Sequence, residues 1–272
     1  MTPEEAQRQT LQQQGPRITQ PSLSWRDPLR WLQAGWRDLL RCPAVSLSYG
    51  VFFTLLVWAL GLLFRHRPDY TLMLGSTIPL LGPALAMGLI DASRSCEIGN
   101  KPILRLCLVC WWRVRSSVAL FSCLLLVIEL LWARSSILVF ALFTDSMTPT
   151  DNALALLLDP HNLGFTAAYM GIGGLFAAIA FGFSAVSVPM MLDRPIDAIS
   201  AALTSLRCCL ERPAVLLLWG LLLAALTLLA LLPLGLGLVL AWPLMGHASW
   251  HAYRGIVNPE QLAALQSPPE AT

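Results

Sequence analysis

The chain has 272 residues, of which 56% are hydrophobic and 12% are charged. Soluble globular domains carry about 25% charged residues, so this composition excludes an ordinary soluble enzyme and a disordered or collagen-like protein. The formal net charge of +2 creates no large positive field, and we expect no nucleic-acid partner. At about 20 apolar residues per transmembrane helix, the length suits a polytopic protein surrounded by the lipid bilayer.

Six apolar segments of membrane-spanning length follow one another and predict an all-α, polytopic membrane helix bundle. They lie at about 44–64, 70–90, 117–143, 163–192, 214–232 and 234–253. The third and fourth exceed the hydrocarbon thickness, so they must tilt or bend. The last two are nearly continuous, and Pro233 followed by Gly235 predicts the turn between them. We predict about six transmembrane helices; four or five result if one segment is re-entrant.

Lysine and arginine are unevenly distributed over the loops, which predicts the orientation in the membrane. The segment before the first span contains six of them, the loop at 91–116 five and the loop at 193–213 three, whereas the alternate loops contain only Arg65 and Arg67. Basic residues accumulate on the cytoplasmic side, so we expect a bacterial inner-membrane protein with both termini in the cytoplasm. Residues 1–24 are polar and predict a disordered cytoplasmic tail, 25–257 the membrane domain, and 258–272 a second cytoplasmic tail.

Three amphipathic segments precede apolar spans, at 28–41, 101–113 and 195–211. Each has an apolar stripe, arginine away from that stripe and a proline near its start, which predicts three cytoplasmic helices in the membrane interface. Cys-Pro-Ala-Val at 42–45 is similar to Arg-Pro-Ala-Val at 212–215, and Pro, Ala and Arg recur at equal spacing in 83–94 and 243–254. These likenesses indicate three parallel repeats of interfacial helix plus two-span hairpin, at 28–94, 102–192 and 195–254.

Small residues spaced by four mark the faces where helices are expected to approach closely, because lipid gives helices no hydrophobic reason to associate. One such stripe lies on the second predicted span, at Ala84, Gly88 and Ala92. The other lies on the fourth, at Gly174, Ala178 and Gly182.

Glu129 is a carboxylate deep in the third predicted span, roughly 18 Å from its start at Ser117. Arg134 follows five residues later, about 140° around the helix, so the two side chains do not face each other. An ionisable side chain at this depth indicates either a transport or proton pathway or a hydrogen bond to another helix.

Seven polar residues lie where the predicted spans meet the cytoplasm, grouped as Asp91 with Arg94, Asp193 with Arg194, and His247, His251 and Arg254. If the repeats converge, these side chains ring a cytoplasmic vestibule. The alternative is that they anchor the helix ends at the membrane interface.

His247 and His251 are four residues apart and therefore share one helix face. With Asp91 or Asp193 they could ligate a metal, or they could bind haem. The metalloprotease glutamate is missing between them, however, and no third ligand follows at a typical spacing. We therefore expect no metal and no other cofactor.

Several strings together are similar to a known family. They include Gly-Trp-Arg-Asp at 35–38, Pro-Leu-Leu-Gly-Pro at 79–83, Pro-Met-Met-Leu-Asp-Arg at 189–194 and, most specifically, Pro-Leu-Met-Gly-His-Ala-Ser-Trp-His-Ala-Tyr-Arg at 243–254. Over roughly 25–257 the chain resembles the bacterial integral membrane family called domain of unknown function 2189. The resemblance implies a multi-pass inner-membrane protein and supplies no catalytic residues, because the family has no established activity.

The sequence thus favours a protein that is not an enzyme, and the first hypothesis is a permease for small solutes or lipids. The second is a membrane assembly or interaction factor, acting as a homo-oligomer or with partner membrane proteins. The third is a metal- or haem-binding membrane enzyme that uses His247 and His251.

Overall fold

The computed structural model describes residues 19–20, 23–66, 78–143 and 159–258. Within these ranges the regular elements are helices, apart from an isolated antiparallel bridge between Thr19 and Val257. The prediction of an all-α helix bundle is confirmed.

The helices form three consecutive groups, each with a short helix, a long apolar helix and a helix that returns to the starting end. The first group comprises α1 (Asp27–Arg41), α2 (Pro43–His66) and α3 (Ile78–Glu97). The second comprises α4 (Leu104–Val109), a 3-10 turn (Cys110–Val114), α5 (Arg115–Phe143), and α6 (Leu163–Ser184) continued by α7 (Ser187–Asp193). The third comprises α8 (Ala198–Glu211), α9 (Pro213–Leu231) and α10 (Leu238–Ile256).

Four stretches of the described chain are long and apolar enough to cross a membrane: Pro43–Leu63, Leu104–Phe143, Pro160–Asp193 and Pro213–Leu231. They make this a multi-pass membrane protein, but the predicted count of six spans is not confirmed. Much of the second predicted span, at 70–77, lies outside the described residues. The sixth corresponds to α10, which is not among the four stretches and carries two histidines and an arginine in its second half.

The long fourth segment is divided into two helices at Ala185 and Val186. Pro189 has no N–H to donate to the carbonyl four residues earlier, and its ring crowds that carbonyl, so a continuous helix is interrupted there. Ser205 of α8 compensates the break: its hydroxyl accepts from Val186 N at 3.3 Å and donates to Gly182 O at 2.7 Å.

The turns from α1 to α2 and from α8 to α9 have the same conformation. Cys42 has φ −129° and ψ 60°, and Arg212 has φ −135° and ψ 59°. Each donates its N–H to the carbonyl four residues back, at 3.0 Å and 3.1 Å, and each precedes a proline that begins the next helix. The residue before a proline avoids the helical region, so the chain turns at the equivalent point in both places. This geometric match supports the predicted repeat for the first and third groups.

The three groups close into a ring, because each short helix packs on the returning helix of the group before it. A methyl group added at Gly35 of α1 would lie 2.7 Å from Ala248 N of α10, and one at Gly88 of α3 would lie 2.9 Å from Cys107 O of α4. The Ser205–Gly182 hydrogen bond joins α8 to α6 in the same way. The first group thus contacts the third as closely as it contacts the second.

The returning helices α3, α7 and α10 meet at the centre of this ring. Side chains of these helices belong to one buried apolar cluster that includes Met87, Ile90, Met190, Met191 and Tyr253. Where these three helices meet, the centre of the ring is therefore filled by packed side chains.

One of the two predicted small-residue stripes marks a close contact. A methyl group on Gly88 would overlap the Tyr49 hydroxyl. On α6 the prediction is wrong for Gly174 and Ala178: nothing lies within 4 Å of a methyl group at Gly174, and Ala178 is exposed. The contact with α5 runs one residue earlier, at Gly173, because the face that α6 turns to α5 is set by tertiary packing.

Two residues before α1 are held against the ends of the third group. Thr19 donates from its N–H and its hydroxyl to Glu211 Oε2, both at 3.0 Å, and Gln20 N donates to Ile256 O at 2.8 Å. These two residues belong to the predicted disordered tail, and their polar groups have partners in the fold. The remainder of both predicted tails lies largely outside the described residues.

Candidate functional site

The predicted site residues occupy two separate regions. One is the polar end of the bundle, where the last turns of α1, α3, α7 and α10 come together. The other is a groove between α5 and α6 that contains Glu129.

At the middle of the polar end, the three groups are joined by four side chains, Arg94, Asp193, Arg194 and Tyr253, which we call the central cluster. Arg94 Nε lies 3.5 Å from Asp193 Oδ1, and the Tyr253 hydroxyl donates to Asp193 Oδ2 at 2.9 Å. Arg194 Nε donates to the Tyr253 oxygen at 3.3 Å. The Asp193 carboxylate of the second group therefore binds Arg94 of the first group and Tyr253 of the third.

His247 lies in the protein interior with no exposed surface. Its Nε2 is 2.9 Å from Ser46 Oγ of α2, and its Nδ1 is 2.7 Å from Ser93 Oγ of α3. A neutral imidazole has one donor and one acceptor nitrogen, so one serine donates to the ring and the other accepts from it. The ring joins three helices and has no nitrogen left for a metal.

His251 joins α10 to α1. Its Nε2 lies 2.7 Å from Oδ2 of Asp38, which is 2% exposed and also within 3.4 Å of Arg41. Burial acts to raise the pKa of Asp38, but hydrogen bonds from His251 and Ser93 and the nearby imidazoles outweigh it, so the pKa lies below its usual value. The carboxylate stays ionised although it is buried.

Two further ion pairs lie around these groups. Arg113 of the 3-10 turn is 3.3 Å from Asp91, and Arg254 is 3.1 Å from Glu97, which also accepts from the Trp250 indole. Both pairs connect different helices.

The seven polar residues predicted at this end lie together, and one predicted pair, Asp193 with Arg194, is within ion-pair distance at 3.9 Å. The sequence grouped Asp91 with Arg94 and His251 with Arg254, whereas each of these four binds a side chain from another helix. The sequence analysis did not identify Asp38 as a site residue. Its spacing could have indicated it, because Asp38 lies seven residues after Trp31 and therefore on the same face of α1, which α10 covers.

Glu129 lines a groove of about 340 Å³ between α5 and α6. The other lining residues are apolar or aromatic: Leu125, Ile128, Trp132, Gly173, Phe176, Ala177 and Ala180. Among the described residues Glu129 has no hydrogen-bond or ion-pair partner, and exposed Arg134 forms no ion pair with it. We call this feature the Glu129 groove.

Aromatic side chains shape one end of the Glu129 groove. The Trp132 ring lies edge-on to Tyr169 with centroids 5.2 Å apart, and Phe176 lies 6.0 Å from it. Gly173 makes room for the indole, since a methyl group there would be 3.0 Å from the ring. The indole is thereby fixed beside the carboxylate.

A second groove, of about 400 Å³, lies between α5 and α8 and is lined by apolar side chains and Cys123. It contains Leu120, Phe121, Ile199 and Leu203 and no charged group. Such a groove matches a hydrocarbon chain and offers no polar recognition.

In the part of the chain that the structure describes, no three His, Cys, Asp or Glu side chains are placed to hold a metal ion. Comparison with curated proteins and with solved structures gives no match. Residues 71–193 match the family model described as predicted integral membrane protein (DUF2189), a segment that contains Asp91, Arg94, Asp193 and the whole Glu129 groove. The resemblance to the integral membrane family called domain of unknown function 2189, seen in the sequence, is thereby confirmed over these residues.

Proposed function

We propose that the protein is a permease that takes an amphiphilic cargo, a lipid or another small solute, from the bilayer into the Glu129 groove. The observation that carries this proposal is a carboxylate without a partner among the described residues, inside a groove whose other walls are apolar. Ionisable side chains within membrane helices are rare, and by default they indicate a functional site.

The cost of placing Glu129 there supports a functional role. Insertion scales put a charged residue such as aspartate at the centre of a membrane helix at about 2.5–3.5 kcal/mol. A buried hydrogen bond to another helix would offset such a cost, and the described residues offer Glu129 none. A leucine would suit a purely structural α5 better.

A route along the centre of the ring has less support. Met87, Ile90 and Met190 fill that position and are almost completely buried. The Glu129 groove instead lies at the side of the bundle, between two helices, which suits a cargo that partitions into lipid.

The enzyme hypothesis also has less support. Both nitrogens of His247 are engaged by serine hydroxyls, and Ser46 and Ser93 are fully buried, so no substrate contacts them. We interpret this network as the structural connection between α2, α3 and α10.

A membrane interaction factor is the second candidate, favoured by the exposed apolar side chains of α4 and the turn after it. Leu106, Val109 and Trp112 are 57–59% exposed beside Arg105 and Arg113. This face suits either the membrane interface or a partner protein.

The orientation is part of the proposal. The polar end collects the arginine-rich segments, so we place it in the cytoplasm of a bacterium, with the bundle in the inner membrane.

Thiol accessibility tests the permease proposal. In a cysteine-free background, Glu129→Cys and the neighbouring Leu130→Cys are reconstituted in liposomes and treated with a charged methanethiosulfonate. Leu130 is 50% exposed on the outer face of α5 and serves as the matched control. We expect modification at 129 and little at 130, because the reagent reacts only where water enters. No modification at 129 would contradict the proposal and leave the interaction factor as the candidate to pursue.

A further inference from the structure

Resting on the proposed function, we infer that the Glu129 groove binds an organic cation with an apolar body. The contents of the groove define this class of ligand through charge, aromatic surface and shape.

Charge is the first criterion. Glu129 is the single charged side chain among the residues that line the groove. In a low-dielectric environment a cation placed against this carboxylate gains far more Coulomb energy than it would in water. An anion would be repelled, and a neutral hydrocarbon would leave the carboxylate unpartnered.

Aromatic surface is the second. Trp132 and Phe176 line the groove together with Glu129. The indole face attracts organic cations more strongly than other aromatic rings do, and the attraction increases when water is excluded. A carboxylate beside an indole and a phenyl ring is therefore complementary to a substituted ammonium or phosphonium group.

The remaining walls do not suit calcium or magnesium. Calcium and magnesium ions require about six or more oxygen ligands, and the groove supplies the two carboxylate oxygens of Glu129. Leu125, Ile128 and Ala177 offer only apolar contact. A volume of about 340 Å³ lies within the range of small-molecule sites, so these walls accommodate the body of an organic ligand.

The second groove shows what distinguishes this site. It is somewhat larger and similarly apolar, but no charged side chain lines it. An acyl chain is accommodated there without an uncompensated charge, so the Glu129 groove is the one suited to a cation.

Binding of tetraphenylphosphonium to the purified full-length protein, in uncharged detergent and measured by titration calorimetry, tests the inference. Tetraphenylborate has nearly the same shape and the opposite charge, so it separates charge recognition from apolar partition. We expect saturable binding of the cation and none of the anion. Equal binding of both ions would overturn the inference.

Variants then locate the site. Glu129→Gln keeps the shape and removes the charge, and we expect at least about tenfold weaker binding, as for other buried charge pairs. Glu129→Asp should retain binding within a few fold, and Trp132→Leu should weaken it about threefold or more. Glu97→Gln, the same substitution at the polar end, is the matched control and should bind as the wild type does. Wild-type affinity in Glu129→Gln would overturn the assignment.

The wild-type protein provides a second measurement that is independent of variants. A hydrophobic carbodiimide modifies membrane-embedded carboxyl groups, and mass spectrometry identifies the site. We expect tetraphenylphosphonium to protect Glu129 from modification and tetraphenylborate not to protect it; failure to protect contradicts the inference. Thiol modification at position 129 without cation binding would reject this cargo class and leave the permease proposal standing, whereas absence of both would reject both.

Discussion

His247 shows how a single side chain can hold helices together inside a membrane bundle. Its two nitrogens contact serines of α2 and α3, so one ring on α10 fixes two neighbours. A buried polar group left without its partner costs far more than an exposed one, which makes each of these serines a sensitive position.

Removing the Ser46 hydroxyl should therefore destabilise the fold. We expect Ser46→Ala to lower the free energy of unfolding by about 1–3 kcal/mol, because Nε2 of the buried imidazole loses its partner. Ser48→Ala on the same helix is the control, since Ser48 is exposed and bonds only its own helix, to Ala44 O. Denaturant titration of both variants in detergent provides the measurement, and equal losses would contradict the role of His247.

Asp38 makes the stability depend on pH. Its pKa is lowered in the folded protein, so it binds its proton less readily there than in the unfolded chain, where the pKa is close to 3.8. The stability this provides is complete above that value and is lost as the pH falls through the lower, folded pKa. The groups that surround the carboxylate are His251, His247, Arg41 and Ser93.

Asp38→Asn should therefore be less stable than the wild type at neutral pH, and the difference should shrink as the pH falls below about 4. Thermal unfolding midpoints between pH 7 and pH 3 measure this. Asp27→Asn on the same helix is the control. Its ion pair with Arg30, whose side chain is 71% exposed, contributes little, and the oxygen of the new asparagine can still accept from Ser24 N. A difference that stays constant over the whole range would show that Asp38 contributes through shape and not through charge.

At the scale of helices, local sequence determines where an element lies but not which of its faces contacts another helix. The apolar run at 117–143 predicts α5 within two residues of its start, and Pro43 and Pro213 mark the starts of α2 and α9. These signals are local, since they depend on hydropathy and on the backbone of proline. The faces, by contrast, depend on partners elsewhere in the chain.

The two small-residue stripes illustrate this limit. Both have the spacing of a close contact, yet only Gly88 faces a neighbour, Tyr49, while Gly174 faces open space. The sequence pairing of Asp91 with Arg94 was misleading for the same reason: Arg94 follows Asp91 by three residues but binds Asp193 from another group. That Glu129 lies within a long apolar helix could be predicted, whereas its place in a groove required knowing that α6 packs on α5.

Gly88→Leu and Gly174→Leu test whether the two glycines differ in their contacts, because the same substitution is made at a packed and at an open position. We expect the first to lower stability by about 1–3 kcal/mol, because the added side chain overlaps the Tyr49 hydroxyl in a filled interface. The second should be neutral or slightly stabilising, since leucine is a better helix former than glycine by up to about 1 kcal/mol. Thermal unfolding in detergent distinguishes them, and similar losses in both variants would mean that α6 uses the face predicted from its sequence.

For the molecule as a whole, the ring has a mechanical consequence. The contacts of α1 with α10 close it, so the first and last groups hold each other although they are far apart in sequence. The central cluster lies where all three groups meet, and its Asp193 is bound by Arg94 of the first group and Tyr253 of the third. A change at Asp193 should therefore loosen every group, whereas a change at the edge should loosen one contact.

Asp193→Asn tests this. The substitution leaves Arg94 and Arg194 close together without a carboxylate between them. We expect the free energy of unfolding to fall by about 1–3 kcal/mol. This is less than the value for a fully buried ion pair, because the three side chains are 19–33% exposed. Glu97→Gln is the control, because its pair with Arg254 also joins the first group to the third but lies at the edge, where about 1 kcal/mol or less is expected. Limited proteolysis should show faster cleavage in all three groups of Asp193→Asn and not in Glu97→Gln. Cleavage confined to the second group would mean that the groups open independently and that the ring does not unfold as one unit.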